Sequence, residues 1–217
     1  MNISICLVED SEHIRCAMEE TIAMDPMYKL EGSFINAEDA LKKIPSIMPD
    51  IVLMDINLGS GKNGIECIKE LKEKHPEILF MICTVYEDDE KIFDAINAGA
   101  HGYLLKKTAQ QKMLDAIKEL YEGGAPMSSQ IAIKIVKAMQ AGLPFEKSEH
   151  TPVTKQLKKL SPRENEVLKL LASGMLYKEI ASQMRLSTET VRKHVYNIYE
   201  KLHVHSRVAA INKFFNR

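Results

Sequence analysis

Three carboxylates, one hydroxyl and one amine stand out in the first half of this 217-residue sequence: Glu9, Asp10, Asp55, Thr84 and Lys106. Where such carboxylates converge they repel one another unless a cation sits among them, and an all-oxygen site of this kind suits Mg2+. Each residue alone is unremarkable, because an Asp, Thr or Lys beside a strand end is usually a turn, cap or solvated group. Only the combination carries weight. The second half offers a different chemistry. Arg192, Lys193 and Tyr196 fall outside a stripe of Val191, Val195, Ile198 and Leu202, spaced i, i+4, i+7 and i+11 along a helix. Groups projecting from such a helix can reach base edges in the major groove of DNA.

The acidic set converges only if the chain brings it to one edge of a sheet. Residues 1–122 alternate short apolar runs with amphipathic ones. Strands are expected at Ile3–Val8, Tyr28–Phe34, Ile51–Met54, Ile78–Cys83 and Gly102–Leu105, and helices at His13–Ala23, Ala37–Ile47, Ile65–Lys74, Asp88–Ala98 and Gln110–Tyr121. This alternation implies an α/β fold, a five-stranded, doubly wound parallel sheet with helices on both faces. Functional groups of such a sheet gather at the carboxyl ends of its strands. Glu9 and Asp10, Asp55, Thr84 and Lys106 follow the first, third, fourth and fifth strands.

Gly123-Gly124-Ala125-Pro126 interrupts the pattern. A linker helix is expected at Ser128–Gln140 and a flexible tether at Gly142–Pro152. From Leu157 the reading is all helix. Ser161-Pro162 opens one, Gly174 closes it, Tyr177–Met184 forms a second, Ser187 caps a third reaching Leu202, and Ser206 begins a fourth ending at Phe215. The organisation expected is therefore 1–124, a connector 125–154, and an all-α four-helix domain at 155–217.

Over residues 1–122 the acidic set resembles the flavodoxin-like receiver domain of two-component signalling. The resemblance implies that Asp55 accepts a phosphoryl group from a sensor histidine kinase. It further implies that Glu9, Asp10, Asp55 and the backbone carbonyl of Asn57 ligate Mg2+, and that Lys106 neutralises phosphoryl oxygens. Thr84 would then bond the acyl phosphate and Tyr103 would follow it inward, carrying the signal to the face of the fourth helix and fifth strand. Three positions depart from the family pattern. Gly59 stands where Pro is common, in a loop one residue longer than usual. Val85 stands where a small residue is usual, so its branched side chain is expected to hinder water and lengthen the life of the acyl phosphate. Lys107 stands where many receivers have Pro, which removes the usual reason for a cis peptide bond.

The run Leu160-Ser161-Pro162-Arg163-Glu164-Asn165-Glu166-Val167-Leu168, then Lys178-Glu179-Ile180-Ala181, Ser187 through Val195 and Asn197 through Leu202, resembles the LuxR-type helix-turn-helix. By that resemblance Arg192, Lys193 and Tyr196 are candidates for base readout. Lys178, Thr190, His194, Asn197 and Lys201 are candidates for phosphate contact or local support. The two halves together resemble a response regulator of the NarL/FixJ type, a phosphorylation-dependent transcription regulator and not an enzyme. Such a protein binds double-stranded DNA and pairs as a homodimer when phosphorylated or DNA-bound.

Composition agrees. Residues 1–124 hold 13 Lys and Arg against 23 Asp and Glu, a formal charge of -10, while 125–217 hold 16 against 7, or +9. An acidic half joined to a basic half suggests that only the second meets a polyanion. No apolar stretch approaches the roughly 20 residues that span a bilayer, and Cys6, Cys16, Cys67 and Cys83 form no C-x-x-C pair, which together point to the cytoplasm. Two other functions fit less well. A phosphatase of the haloacid-dehalogenase kind wants a second Asp two residues after the nucleophile, where this chain has Asn57. A small-molecule-gated regulator of the quorum-sensing kind wants an aromatic pocket, and this chain has no Trp.

Overall fold

The structure is a computed structural model that describes residues 2–85, 88–107, 110–140, 160–202, 204 and 207–215. Short runs rich in apolar residues form β1 (Ile3–Val8), β2 (Tyr28–Phe34), β3 (Ile51–Met54), β4 (Leu79–Thr84) and β5 (Gly102–Leu105). They pair in parallel in the order β2-β1-β3-β4-β5. Between and after them lie α1 (Glu12–Ala23), α2 (Ala37–Ile47), α3 (Gly64–Lys74), α4 (Asp89–Ala98) and α5 (Gln110–Tyr121). Central strand β3 shows why its run is continuously apolar. Val52 and Met54 join a core with Ala40, Ile44, Ile68 and Ile92 of α2, α3 and α4, whereas Ile51 and Leu53 join one with Ile22 and Ile117 of α1 and α5. With both faces covered, every residue of the strand is buried. The expected doubly wound sheet is the one that forms. β4 ends one residue later than its apolar run suggests, so Thr84 is its last residue and not the residue after it.

The expected linker helix is α6 (Ser129–Gln140), and it packs against this sheet unit. Ile131 is fully buried in the core that holds Ile92 and Tyr103, and Lys134 Nζ lies 2.8 Å from Asp89 Oδ1 at the start of α4. Ahead of the helix, the Tyr103 N–H donates to the Pro126 carbonyl at 3.0 Å, and the Ser128 N–H donates to the Tyr103 carbonyl at 3.4 Å. At edge strand β5 the hydrogen-bonding groups of Tyr103 are thus covered. The chain divides into one unit of residues 1–121 and 125–147 and another of 122–124 and 148–217. The expected tether Gly142–Pro152 lies outside the described residues.

At the far end of β4 from the acidic set, Lys72 is buried. Its ammonium donates to the carbonyls of Pro76 at 2.5 Å and Ile78 at 2.8 Å, and lies 5.9 Å from the Phe80 ring centroid. Burial pushes its pKa down to about 7. The folded chain therefore holds this proton less tightly than the unfolded chain, and stability rises with pH above about 7. Burial pushes the thiols of Cys6, Cys67 and Cys83 up to about 12, which works in the opposite direction once free thiols begin to ionise. Between pH 7 and roughly pH 8.5, where unfolded thiols are still protonated, stability to urea is expected to rise by about 1 kcal/mol per pH unit. A Lys72→Met chain with the same rise would show that the slope comes from elsewhere.

The second unit consists of α7 (Pro162–Ala172), α8 (Tyr177–Met184), α9 (Thr188–Leu202) and α10 (Arg207–Phe215). Pro162 takes the first helical position of α7. Ser161 caps that helix by accepting from the Glu164 N–H, and Glu164 returns an acceptor to the Ser161 N–H. Val167, Leu168, Leu171, Ile180, Ala181, Met184, Val191, Val195, Ile198, Leu202 and Ala210 form its core. The turn between α8 and α9 places Arg185 in the left-handed region at φ 53, and the following Leu186 N–H returns to the Ala181 carbonyl at 2.9 Å. Leu157, where the helical reading starts, and Ser206, expected to open the last helix, fall outside the described residues, as do His203 and His205.

Candidate functional site

The carboxyl ends of β1, β3, β4 and β5 lie side by side, and the acidic set occupies them. The Asp55 N–H donates to the Val8 carbonyl at 2.9 Å, which fixes the residue after β3 beside the end of β1. Likewise the Lys106 N–H donates to the Thr84 carbonyl at 2.8 Å. The Lys106 ammonium then reaches across the edge, 2.6 Å from Glu9 Oε2 and 2.8 Å from Asp55 Oδ2. Asp55 Oδ1 accepts from the Ile56 N–H at 2.8 Å and Glu9 Oε1 from the Ser11 N–H at 3.3 Å. Glu9, Asp55 and Thr84 are buried, whereas Asp10 is exposed and forms the open side.

Electrostatics follow from this geometry. Burial raises the Glu9 pKa, and Lys106 only partly opposes it, because the Asp55 charge adds to the rise. Burial alone would lower the Lys106 pKa, but its hydrogen bonds to Asp55 and Glu9 outweigh that and raise it. Three carboxylates against one ammonium leave a negative excess. Glu9, Asp10 and Asp55 each present an oxygen, all within 4.8 Å of one another. Hard oxygen donors at that spacing, with one open side, fit a divalent cation such as Mg2+. Asn57 is exposed in the loop after Asp55. Tyr103, expected to move inward on activation, is already fully buried here. Val85 is 65% exposed next to Thr84, and there is no cis peptide among the described residues.

In the helical unit, Lys193, Tyr196 and Lys178 face solvent. Arg192, expected beside Lys193 and Tyr196 on the outward face, is half-buried instead. Its charge lowers the pKa of the buried Tyr177 phenol, although burial, the larger effect, raises it. The reason is Tyr199, which lies seven residues on along the same flank and is also buried, so the inward stripe of α9 is wider than its valines and leucine imply. Thr190 is engaged locally: its N–H donates to the Ser187 hydroxyl at 3.0 Å, capping α9. Lys201 sits on both oxygens of Glu164, at 2.7 and 2.8 Å, and braces α9 against α7. His194 and Asn197 are half-buried. The Glu164 partner was legible as the fourth residue of a Ser-x-x-Glu capping pattern, although its bond to Lys201 was not.

Residues 5–118 match the response regulator receiver domain, and residues 158–214 match the luxR family of bacterial regulatory proteins. The chain belongs to the response regulator family. As a response regulator it joins a receiver to a LuxR-type DNA-binding unit. It is 28% identical over 207 residues to the nitrate/nitrite response regulator protein NarL of Escherichia coli (strain K12), covering 95% of this chain and 92% of that one. To the transcriptional regulatory protein DegU of Brevibacillus brevis it is 27% identical over 216 residues, 96% and 91% of the two chains. Among solved structures, the response regulator ChrA of a heme-sensing two-component system aligns over 99% of this chain and 97% of its own, with 26% identity and a TM-score of 0.53. A LuxR-family response regulator from Aurantimonas sp. SI85-9A1 aligns over 64% and 99%, with 27% identity and a TM-score of 0.61. Among the described residues of this response regulator no helix is long and apolar enough to cross a membrane.

Proposed function

We propose that Asp55 accepts a phosphoryl group from a sensor histidine kinase and that the phosphorylated receiver controls dimerisation and exposure of the recognition helix α9. The observation that carries this reading is the Lys106 ammonium bridging Glu9 and Asp55 at the strand edge where Thr84 ends β4. A carboxylate oxygen of Asp55 attacks the phosphorus of a phosphohistidine. The O–P bond forms as the P–N bond breaks, the electron pair returns to the imidazole nitrogen, and the ring leaves neutral because its other nitrogen carries a proton. Lys106 stays beside the transferred oxygens and offsets their charge. Mg2+, held by Glu9, Asp10, Asp55 and the Asn57 carbonyl, supplies further positive charge to the phosphoryl group when bound. Thr84 turns to hydrogen-bond the acyl phosphate, and Tyr103, packed in the core that holds Ile131, passes the change to α6. The functional division is a receiver at 1–124, a connector at 125–154 that carries α6, and a DNA-binding domain at 155–217, all in the cytoplasm.

Lys193, Tyr196 and Arg192 read bases in the major groove, while Lys178, Thr190, His194 and Asn197 meet or support phosphate contacts and Lys201 holds α9 in place. Duplexes selected from a random pool by acetyl-phosphate-treated protein are expected to carry paired half-sites about one helical turn apart, and binding should weaken steeply with salt. Loss of one base contact costs about 1–3 kcal/mol, so Lys193→Ala or Arg192→Ala should reduce selectivity roughly tenfold or more. Full selectivity in both variants would remove these residues from readout. Phosphorylated protein that binds no duplex better than the untreated form would remove the proposed control.

Val85 bears on duration. Its branched side chain beside Thr84 should slow attack of water on the acyl phosphate, so Val85→Ala is expected to shorten the half-life several-fold, on the order of 1 kcal/mol of barrier. An unchanged decay rate would dismiss that role.

A further inference from the structure

The loop joining β3 to α3 has fixed ends and an unusual middle. At its ends the Gly64 N–H donates to the Ile56 carbonyl at 2.9 Å, and Asn63 forms a reciprocal cap with Glu66. Between them Gly59 and Gly61 take positive φ, 72 and 103, and residues 59–63 are exposed. A Gly-rich loop without proline loses more backbone freedom when it is ordered. Something must offset that loss if the loop is to hold one shape beside the acidic site. Leu58 buries its side chain in the core below. The other hold is on α2, where the Lys62 N–H donates to Glu38 Oε1 at 3.1 Å while the Lys62 side chain pairs with Glu70 of α3. Gly61 lies so flat on the Glu38 carboxylate that a methyl group there would sit 2.5 Å from Oε1. The same backbone runs beside the site, since a methyl on Gly59 would lie 3.6 Å from Asp10 Oδ2. The bond from the Lys62 N–H is also the largest of the effects that hold the Glu38 carboxyl below the usual carboxylate range.

We infer that Glu38 is a positioning residue for the Asp55 site: by accepting from the Lys62 backbone it fixes the loop that carries Asn57 and flanks Asp10. It takes the place, from a neighbouring helix, of the rigidity that a proline at position 59 would give. This inference rests on the reading of the acidic set as a cation-assisted phosphoacceptor, and its test separates the two.

Full-length protein is titrated with Mn2+ in the absence of any phosphoryl donor, free Mn2+ being read by its electron paramagnetic resonance signal. Glu38→Ala is expected to weaken Mn2+ binding about tenfold. Glu38→Gln removes the charge but keeps an acceptor oxygen, and should stay within about twofold of the parent chain, since only a modest fraction of one hydrogen bond is lost. Gly61→Ala, which drives a methyl into the Glu38 carboxylate, should weaken binding as Glu38→Ala does, and it serves if Glu38→Ala fails to fold. Parent-like affinity in Glu38→Ala overturns the inference. So does Glu38→Gln binding as weakly as Glu38→Ala, because charge and not the hydrogen bond would then matter, and so does a parent chain that binds no Mn2+. Acetyl-phosphate labelling that persists in Asp55→Asn would overturn the phosphoacceptor reading alone, since the Mn2+ titration is independent of transfer.

Discussion

Asp55→Asn is expected to cut phosphoryl incorporation from acetyl phosphate or from a sensor kinase by at least about a thousandfold, to background, because an amide is no nucleophile toward phosphorus. The effect should be chemical and not structural. Asn keeps the shape of the side chain, and its carbonyl oxygen can still accept from the Ile56 N–H, as Asp55 Oδ1 does. Lys106 retains Glu9 as a partner. Removal of one of three crowded negative charges also lowers repulsion, since the Asp55 charge is among the causes that raise the Glu9 pKa. Thermal stability should therefore be unchanged or slightly higher. Intact-protein mass spectrometry after acetyl phosphate treatment reads the result directly, as a mass gain present in the parent chain and absent from the variant. A variant that still gains a phosphoryl group places the acceptor elsewhere. A variant that unfolds shows that the Asp55 charge supports the sheet edge, and that relief of repulsion is the smaller effect.

How far the sequence foretold this molecule depends on the range of the contacts concerned. Strand ends are set by local apolar runs, so Glu9, Asp10, Asp55 and Lys106 could be placed at one edge from residue order alone. The helix-turn-helix was legible for the same reason, because Val191, Val195, Ile198 and Leu202 repeat at helical spacing. Arg192 sits deeper than the stripe of valines and leucine implies, because one flank of that stripe is an aromatic residue, Tyr199, whose burial beside Tyr177 depends on another helix. Lys72 offered no sign of burial, since a lysine late in an amphipathic helix is usually solvated; only the fold brings the Pro76 and Ile78 carbonyls around it. Glu38 belongs to the same class. Its partner lies 24 residues away and is a backbone N–H, which no pattern of side chains announces. The loop's extra residue and its glycines were visible, but the hold on them was not. In each case the missed residue acts through a contact that exists only after long-range packing has been made.

Gly64→Ala should be the most damaging small substitution near the site. A methyl group at Gly64 would press into the Asp55 carbonyl oxygen, far inside van der Waals contact, and would lie 2.9 Å from both the Asp55 carbonyl carbon and Met54 Cγ. The obstacle is backbone and cannot rotate away. Nor can it retreat as a whole, because the Asp55 N–H is bonded to Val8 and β3 is paired on both sides by β1 and β4. The start of α3 must move instead, straining the Gly64–Ile56 hydrogen bond and the Asn63 cap that begins the helix. Overpacking of this kind costs about 3 kcal/mol, or roughly a 10 °C fall in Tm for a unit of this size. Phosphorylation should slow as well, since the carbonyl that is pushed belongs to the phosphoacceptor itself. Gly174→Ala is the contrasting control: Gly174 has a positive φ of 92, which Gly64 does not, and no atom lies within 4 Å of the added methyl. Only the conformational cost of about 1 kcal/mol remains there, with phosphorylation untouched. A loss of Tm in Gly64→Ala no larger than that in Gly174→Ala would mean that the closeness of α3 to the Asp55 carbonyl is not what demands glycine at position 64.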